Sequence, residues 1–597
     1  MIGRNLLLLV CLLALLPSSV HSANPEEVVA EMPNRQRQVL EEAALNESLP
    51  PFHRGAAACF LGEPLDDDQW IVTPGQSGYP LCDTLLRLRL LLTPKANQHL
   101  SEAHREQLRD QIGSAAQSIA PEDIAPASPE SHSLLANTIQ LLHEIADESV
   151  AADRAPSGDA LVQYSTETVE RLSNWLGLRA RFDLRGPGAD DHLNTICGLL
   201  ALADLSPNAR LADQARALLD RILADAAIRS IGGSRLSLQK VSAAWHLSAF
   251  FPVYFGIHPP MEEAYPPDVR SIHMAASGYQ PPKVVVRLGC EWNDRGSYEV
   301  NRQFRLAGDE RPPDAGQPHY SYITSSYALS SLPLRNQTVP RHMRPWELRL
   351  HDGRASYHRV FALAGNQLFS GEQQTANDDR YMWNATVMQH ENVLCARFHR
   401  SDRRPNHFPE DWPPLRRYVQ QPTRIWFPDS LQPVMQEGGW WFTEFENVYI
   451  ALRPLKGSAY WWRSVSTDVP EAHEASLLTL QDLQSGFLLE VETATRFITF
   501  ERFRQQVRQA PLVVERNSVT FVSRAGDVIL FPLEGGDFLV NGRPVGYDQQ
   551  SPAPLHDSRF LFSEWGSGRF RAFWEPDQLE VNFTQEGEVI RQETLQD

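Results

Sequence analysis

The feature that most constrains this chain is a change of apolar period at Pro259–Pro260. Before it, from about Ser101 to Phe251, apolar residues recur every three to four positions; Leu211, Ala215, Leu218, Leu219, Ile222 and Ala226 form one stripe on one helical face. Leu134–Ile145 and His192–Leu205 have the same spacing, with breaks at Pro156–Gly158, Gly186–Gly188 and Ser206–Pro207. Short polar breaks between helices predict stacked antiparallel pairs, either a bundle or a closed toroid.

After the prolines the period falls to two. Lys283–Leu288, Tyr298–Leu306, Tyr320–Leu332, Tyr357–Leu363 and Asn392–Phe398 are short β-branched or aromatic runs bounded by Gly, Pro and Asp, and predict strands. Gly438–Leu452 predicts a hairpin turning near Glu444–Asn447, and Val519–Val522, Val528–Phe531 and Phe538–Val540 predict later strands, the last closed by Asn541–Gly542. Helices followed by strands imply a multidomain α+β chain rather than an alternating sheet. The expected division is a segment 1–22, a helical domain 23–270, an antiparallel β-sandwich domain 271–510 and a small C-terminal β domain 511–597.

Residues 1–22 have the form of a signal peptide. Arg4 precedes the apolar run Leu6–Leu16, too short for the ~20 residues of a membrane span, and small residues lead to a cleavage site near Ser22–Ala23. The expectation is export to the periplasm or beyond, without stable membrane insertion. Once Cys11 has left, five cysteines remain; Cys59 and Cys82 are the expected local bridge and Cys197 a buried thiol. With no CxxC pair, a cysteine zinc cluster is not expected.

The net charge of −19 argues against a nucleic-acid partner. Only four of the 55 basic residues are lysines, and arginine forks bind carboxylate and sulfate, so local anion sites remain open against the acidic total.

Several stretches carry a family likeness: Arg181–Asn194 (RFDLRGPGADDHLN), Tyr320–Ser331 (YSYITSSYALSS), Met388–Cys395 (MQHENVLC) and Trp426–Trp441 (WFPDSLQPVMQEGGWW). With the helix-then-strand order, residues 160–465 resemble the polysaccharide lyases of the heparinase II/III and alginate lyase type. That resemblance implies an incomplete (α/α) toroid followed by antiparallel β-sandwich domains, and cleavage of an acidic polysaccharide by β-elimination. The reaction needs a group to neutralise the C5 carboxylate, a base for the C5 proton and an acid for the leaving oxygen.

Candidates for these roles are His192 and Asn194 at a helix start, Tyr254 after the last helical segment, and His319 leading a strand. Tyr320, Tyr322, Arg344, Trp346, His390 and Trp245 are the expected substrate contacts. Arg341, Arg344 and Arg349 around Trp346 read as a carboxylate clamp with a stacking platform. Asn194 and Arg344 would hold the carboxylate, His319 or His192 take the proton, and Tyr254 or Tyr320 supply the acid, all in one cleft. No cofactor is called for, and a divalent metal in the β domain is left open. Two other readings stand beside the lyase. One is a glycoside hydrolase using Asp190, Asp191 or Glu291; the other is a non-catalytic carbohydrate-binding envelope protein.

Overall fold

The computed structural model describes residues 24–595 except 65–78, 120–130, 152–157, 183, 186–189, 237, 239–249, 258–266, 307–315, 340–342, 352–356, 365–383, 400–422, 429–430, 432–434, 467–473, 483–484 and 547–553. Its N-terminal half is helical: α1 (Met32–Leu45), α2 (Pro51–Leu61), α3 (Pro80–Leu92), α4 (Glu102–Ser118), α5 (Ser131–Ala151), α6 (Gly158–Arg181), α7 (Asp190–Leu205), α8 (Ala209–Ile228), α9 (Phe250–Phe255), α10 (Val269–Ala275) and α11 (Lys283–Cys290). Local chemistry starts them. Ser101 and Asn208 accept from backbone amides of the first turns of α4 and α8, Asp268 and Ser271 form a reciprocal box on α10, and proline opens α2 and α3. Chain neighbours pack in pairs, α1 with α2, α5 with α6 and α7 with α8, and α10 closes the series by packing on both α7 and α1. Helices α3 and α7 are buried along most of their length and lie inside, while α4 shows buried residues at only three positions.

Lys283–Leu288, expected as a strand, is the helix α11. Pro281–Pro282 precede it, and Val284, Val285 and Leu288 fall on one helical face against the core shared with α8.

The β half follows in layers. A 14-stranded sheet is built on β1 (Tyr298–Leu306), β2 (Gln317–Ile323), β3 (Tyr327–Ser331), β5 (Trp346–His351), β6 (Tyr357–Ala364), β9 (Thr423–Pro428), β13 (Ala459–Ser466) and β14 (Glu474–Leu480). A seven-stranded sheet takes β4 (Leu334–Thr338), β7 (Asn384–His390), β8 (Val393–His399), β10 (Met435–Glu437), β11 (Trp440–Phe445), β12 (Val448–Pro454) and β15 (Gly486–Thr493). All ladders are antiparallel save Leu184–Arg185, which lies parallel to Arg305–Leu306. The two sheets bury one core between them, including Trp346, Leu348, Leu394 and Phe487. The expected hairpin is β11–β12, with Phe445 opposite Val448.

The C-terminal segment divides in two. Residues 512–544 form a five-stranded sheet that covers the outer face of the seven-stranded one with α12 (Phe500–Gln509). Residues 554–594 instead return to the 14-stranded sheet beside β1, where Phe560, Phe570 and Val581 pack against the helices. Unit 511–597 is therefore not one domain. The cause is visible in the strand Asp577–Phe583, whose buried Leu579, Val581 and Phe583 alternate with half-buried residues and join the core shared by α8 and α11.

Helices and large sheet are tied at the end of α8. Tyr298 donates to the Ile228 carbonyl at 2.6 Å, and buried Arg295 donates to the carbonyls of Ala227 and Ser230 at 2.8 and 2.7 Å. Asp225 takes a fork from Arg229 and meets His556 at 3.2 Å. Gly232 adopts φ +53°, and a Cβ there would stand 2.7 Å from the His351 ring, so the turn of the Ser230–Arg235 hairpin lies flat on the sheet. The expected Cys59–Cys82 bridge is absent. The five described cysteines are buried free thiols, and Cys82 turns toward α7, where its Sγ donates to Asn194.

Candidate functional site

Strand alternation decides which groups the large sheet shows to the helices. In β2, His319 sits opposite Arg302, and Arg302 reaches Asp225 at the end of α8 (3.6 Å), so His319 belongs to the helix-facing side. Tyr320 and Tyr322 belong to the other side. The Tyr320 hydroxyl accepts from the Glu391 backbone N–H of the second sheet at 2.9 Å.

From His319 a line of polar groups crosses the helix-facing side. Its Nε2 lies 3.4 Å from Ser321 Oγ, which lies 2.7 Å from Ser330 Oγ, and Ser330 is paired in register with Glu347. Three guanidinium groups gather on that carboxylate: Arg344, in direct contact, Arg349 at 3.1 Å and Arg359 at 3.9 Å. Burial pushes the Glu347 carboxyl up, but the arginines, Arg359 foremost, outweigh it and hold it at about 2. Arg344 stands 3.9 Å over the Phe361 ring, and Phe361 stacks nearly parallel on Trp426 with centroids 5.8 Å apart. Arg424, two residues before Trp426 and on the same face, is half-buried, as is Arg359, whereas Arg344, Glu347 and Arg349 are buried. The Leu238 carbonyl accepts from the Arg344 backbone N–H, bringing the chain after the hairpin over this cluster.

The helical ring presents one end to this face. Only Ser206–Asn208 join α7 to α8, which pack together, so the start of α7 lies at the same end as Ile228. His192 and Asn194 are both half-buried there. Around Asn194 the end of the ring is polar. His53 Nε2 and Asp83 Oδ1 lie 2.8 Å apart, His273 Nε2 is 2.9 Å from the Cys82 carbonyl, and Arg270 pairs with Asp268 at 2.6 Å while lying 3.9 Å over the Tyr79 ring.

Nine of the ten expected site residues lie among the described residues, and they occupy separate places rather than one cleft. His319 and Arg344 share the helix-facing side of the sheet, and His192 and Asn194 lie at the end of the ring toward it. Tyr254 is buried within the ring, edge-on to Tyr279 at 6.0 Å, and burial pushes its phenol above the ordinary range. Tyr320, Tyr322 and Trp346 lie on the sandwich side, and His390 lies on the outer face of the seven-stranded sheet. Trp346 is fully buried against Phe487 at 5.4 Å, so it is core and not a platform; His390 lies 3.4 Å from Asp527. Trp245 and Arg341 fall outside the described residues, as do the side chains of Asp190 and Asp191.

The reading from sequence missed Glu347, Arg359, Phe361 and Trp426. A signal was present: Trp346, Leu348 and Leu350 alternate with Glu347, Arg349 and His351, which separates a core face from a polar one. Among the described residues, no group of three or more His, Cys, Asp or Glu is placed to hold a metal, and no helix is long and apolar enough to cross a membrane.

No protein-family model and no curated protein matches the chain. Among solved structures it is similar to a chondroitin AC lyase variant from Streptomyces coelicolor A3, at 12% identity and TM-score 0.37 over 93% of this chain and 88% of that one. It is also similar to a heparan sulfate lyase variant from Pedobacter heparinus, at 10% identity and TM-score 0.31 over 84% and 81%. A heparinase III matches at 9% identity and TM-score 0.30 over 85% and 81%.

Proposed function

We propose that this chain is an exported polysaccharide lyase that holds a uronate-containing polymer between the end of the helical ring and the helix-facing side of the large sheet. The observation that supports this most is the gathering of Arg344, Arg349 and Arg359 on Glu347 beside the stacked Phe361 and Trp426. Guanidinium forks bind carboxylates and flat rings stack on sugars, so the two together suit an acidic glycan better than a neutral one. In this reading the half-buried Arg359 and Arg424 meet the C5 carboxylate, and the buried Arg344, Arg349 and Glu347 hold them in place. Asn194 approaches the same carboxylate from the ring.

In β-elimination a base takes the C5 proton, the C–H electrons become the C4–C5 double bond, and the C4–O bond breaks onto a leaving oxygen that gains a proton. His319 is the base in this reading, and its serine neighbours fix the ring's orientation. His192 is the acid; Tyr254 and Tyr320, which are buried elsewhere, are not. The hydrolase reading gains no support, because Glu291 is held by Arg287 through both its oxygens.

Incubation of the purified chain with alginate, heparan, chondroitin, hyaluronan and neutral glucans tests the reading. A rise in ultraviolet absorbance with one uronate polymer and none with the glucans is expected. New reducing ends without absorbance would make the protein a hydrolase, and binding without either would make it a carbohydrate-binding protein.

A further inference from the structure

The buried thiols of Cys82 and Cys197 take no part in the chemistry above. Helices α3 and α7 pack directly on one another, and Cys82 points across that contact. Its Sγ donates to Asn194 Oδ1 at 3.4 Å, and Cys197 lies one turn beyond Asn194 on the same face of α7. Both residues sit in the same core cluster, sealed at 1% and 0% exposure, and the Cys197 thiol, ahead of burial, pushes the Cys82 thiol well above its ordinary range. The thiols of Cys59, Cys290 and Cys395 are raised by burial foremost rather than by another cysteine.

We infer that Cys82 and Cys197 are a redox pair that closes into a disulfide between α3 and α7 when the chain folds in the presence of a disulfide oxidant. The thiolate of one cysteine attacks the oxidant, a glutathione-type or protein disulfide, giving a mixed disulfide and releasing one thiol. The second thiolate then attacks the mixed disulfide, forming the Cys82–Cys197 bond and releasing the second thiol. Two protons leave the pair, which is oxidised by two electrons as the oxidant is reduced by two. Exchange needs thiolate, and burial opposes thiolate in the closed ring, so the bond forms before α3 and α7 seal. The bridge joins residues about 115 positions apart and restricts the unfolded chain accordingly. It also removes the S–H donor from Asn194, leaving that amide oxygen to other partners at the end of the ring. This last consequence, unlike the bond itself, rests on the lyase reading.

The test is to refold the full chain in glutathione redox buffer or in dithiothreitol, alkylate remaining thiols and map peptides by mass. Oxidised protein should yield the Cys82 and Cys197 peptides joined, two hydrogens lighter, with Cys59, Cys290 and Cys395 alkylated. Thermal unfolding of the oxidised form should come about 5 °C higher, a difference absent from C197S and retained by C59S. Alkylation of both Cys82 and Cys197 after oxidative refolding, or Cys82 joined to Cys59, would overturn the inference. The mapping needs only the unsubstituted chain and no activity, so its outcome is separate from that of the lyase reading.

Discussion

His319 and Tyr320 are consecutive in one strand and face opposite ways. His319 lies on the side of the large sheet that meets the helices, whereas the Tyr320 hydroxyl takes the Glu391 amide of the second sheet at 2.9 Å. Substitution should separate them. Loss of a general base costs roughly 10²–10⁴ in rate, so His319→Ala should lose activity by that range with little change in melting temperature. Tyr320→Phe should leave kcat within a few fold and cost about 1 kcal/mol of stability, read by urea unfolding. Equal losses of activity from both would place the site on the wrong face.

Glu347 is the one described carboxylate within 4 Å of Arg344, Arg349 and Arg359. Its replacement by Gln removes the buried negative charge on which the three guanidinium groups gather, and should cost about 3–5 kcal/mol in denaturant unfolding. The pH dependence has a definite sign. The folded carboxyl is held at about 2, below its ordinary value of 4.5, so its contribution is complete above 4.5 and lost as pH falls toward 2. Glu347→Gln should flatten the acid side of the stability profile in that window.

Glu490 should give the opposite slope. Burial, only partly offset by Arg524, raises its carboxyl to about 7. A raised acid contributes fully below 4.5 and loses that contribution as pH rises through 7. The melting temperature of Glu490→Gln relative to the unsubstituted chain should therefore improve between pH 5 and pH 8. A difference that stays constant would mean that Glu490 ionises normally.

The order of helices before strands was legible because period is a property of neighbouring residues, but the change to strands comes at Tyr298 and not at Pro259–Pro260, since α10 and α11 follow the prolines. The β11–β12 hairpin and the Asn541–Gly542 turn were legible for the same local reason. Lys283–Leu288 was not: three successive valines favour a strand locally, and only the core shared with α8 makes them helical. The candidate site was legible only as residue types. His319 and Arg344 were found as residue types suited to the chemistry, but their partners Glu347, Arg359 and Trp426 come from three strands, and no spacing along the chain records that β5, β6 and β9 are neighbours. Trp346 was misplaced because a tryptophan beside arginines looks like a platform until the alternation of its strand is followed.

Arg295 holds the helices to the sheet through Ala227, Ser230 and Tyr298. It is fully buried, and replacing it with Met removes one charge and four hydrogen bonds, the fourth to the Trp292 carbonyl, while leaving three carbonyls without that donor. A loss of about 3–5 kcal/mol is expected, and calorimetry should resolve a helical transition from a β transition that are merged in the unsubstituted protein. A single unshifted transition would mean that the contact contributes little.

The central claim is that the arginine and aromatic face of the large sheet binds a uronate polymer for elimination. The most direct measurement is ultraviolet absorbance of the C4–C5 double bond during incubation with each uronate polymer, for the unsubstituted chain and for Arg359→Ala with Arg424→Ala. Absorbance should rise with one polymer, and fall by at least tenfold in the double variant through a higher KM while the fold is retained. Absorbance that never rises with any uronate polymer, or that is unchanged in the double variant, would contradict it.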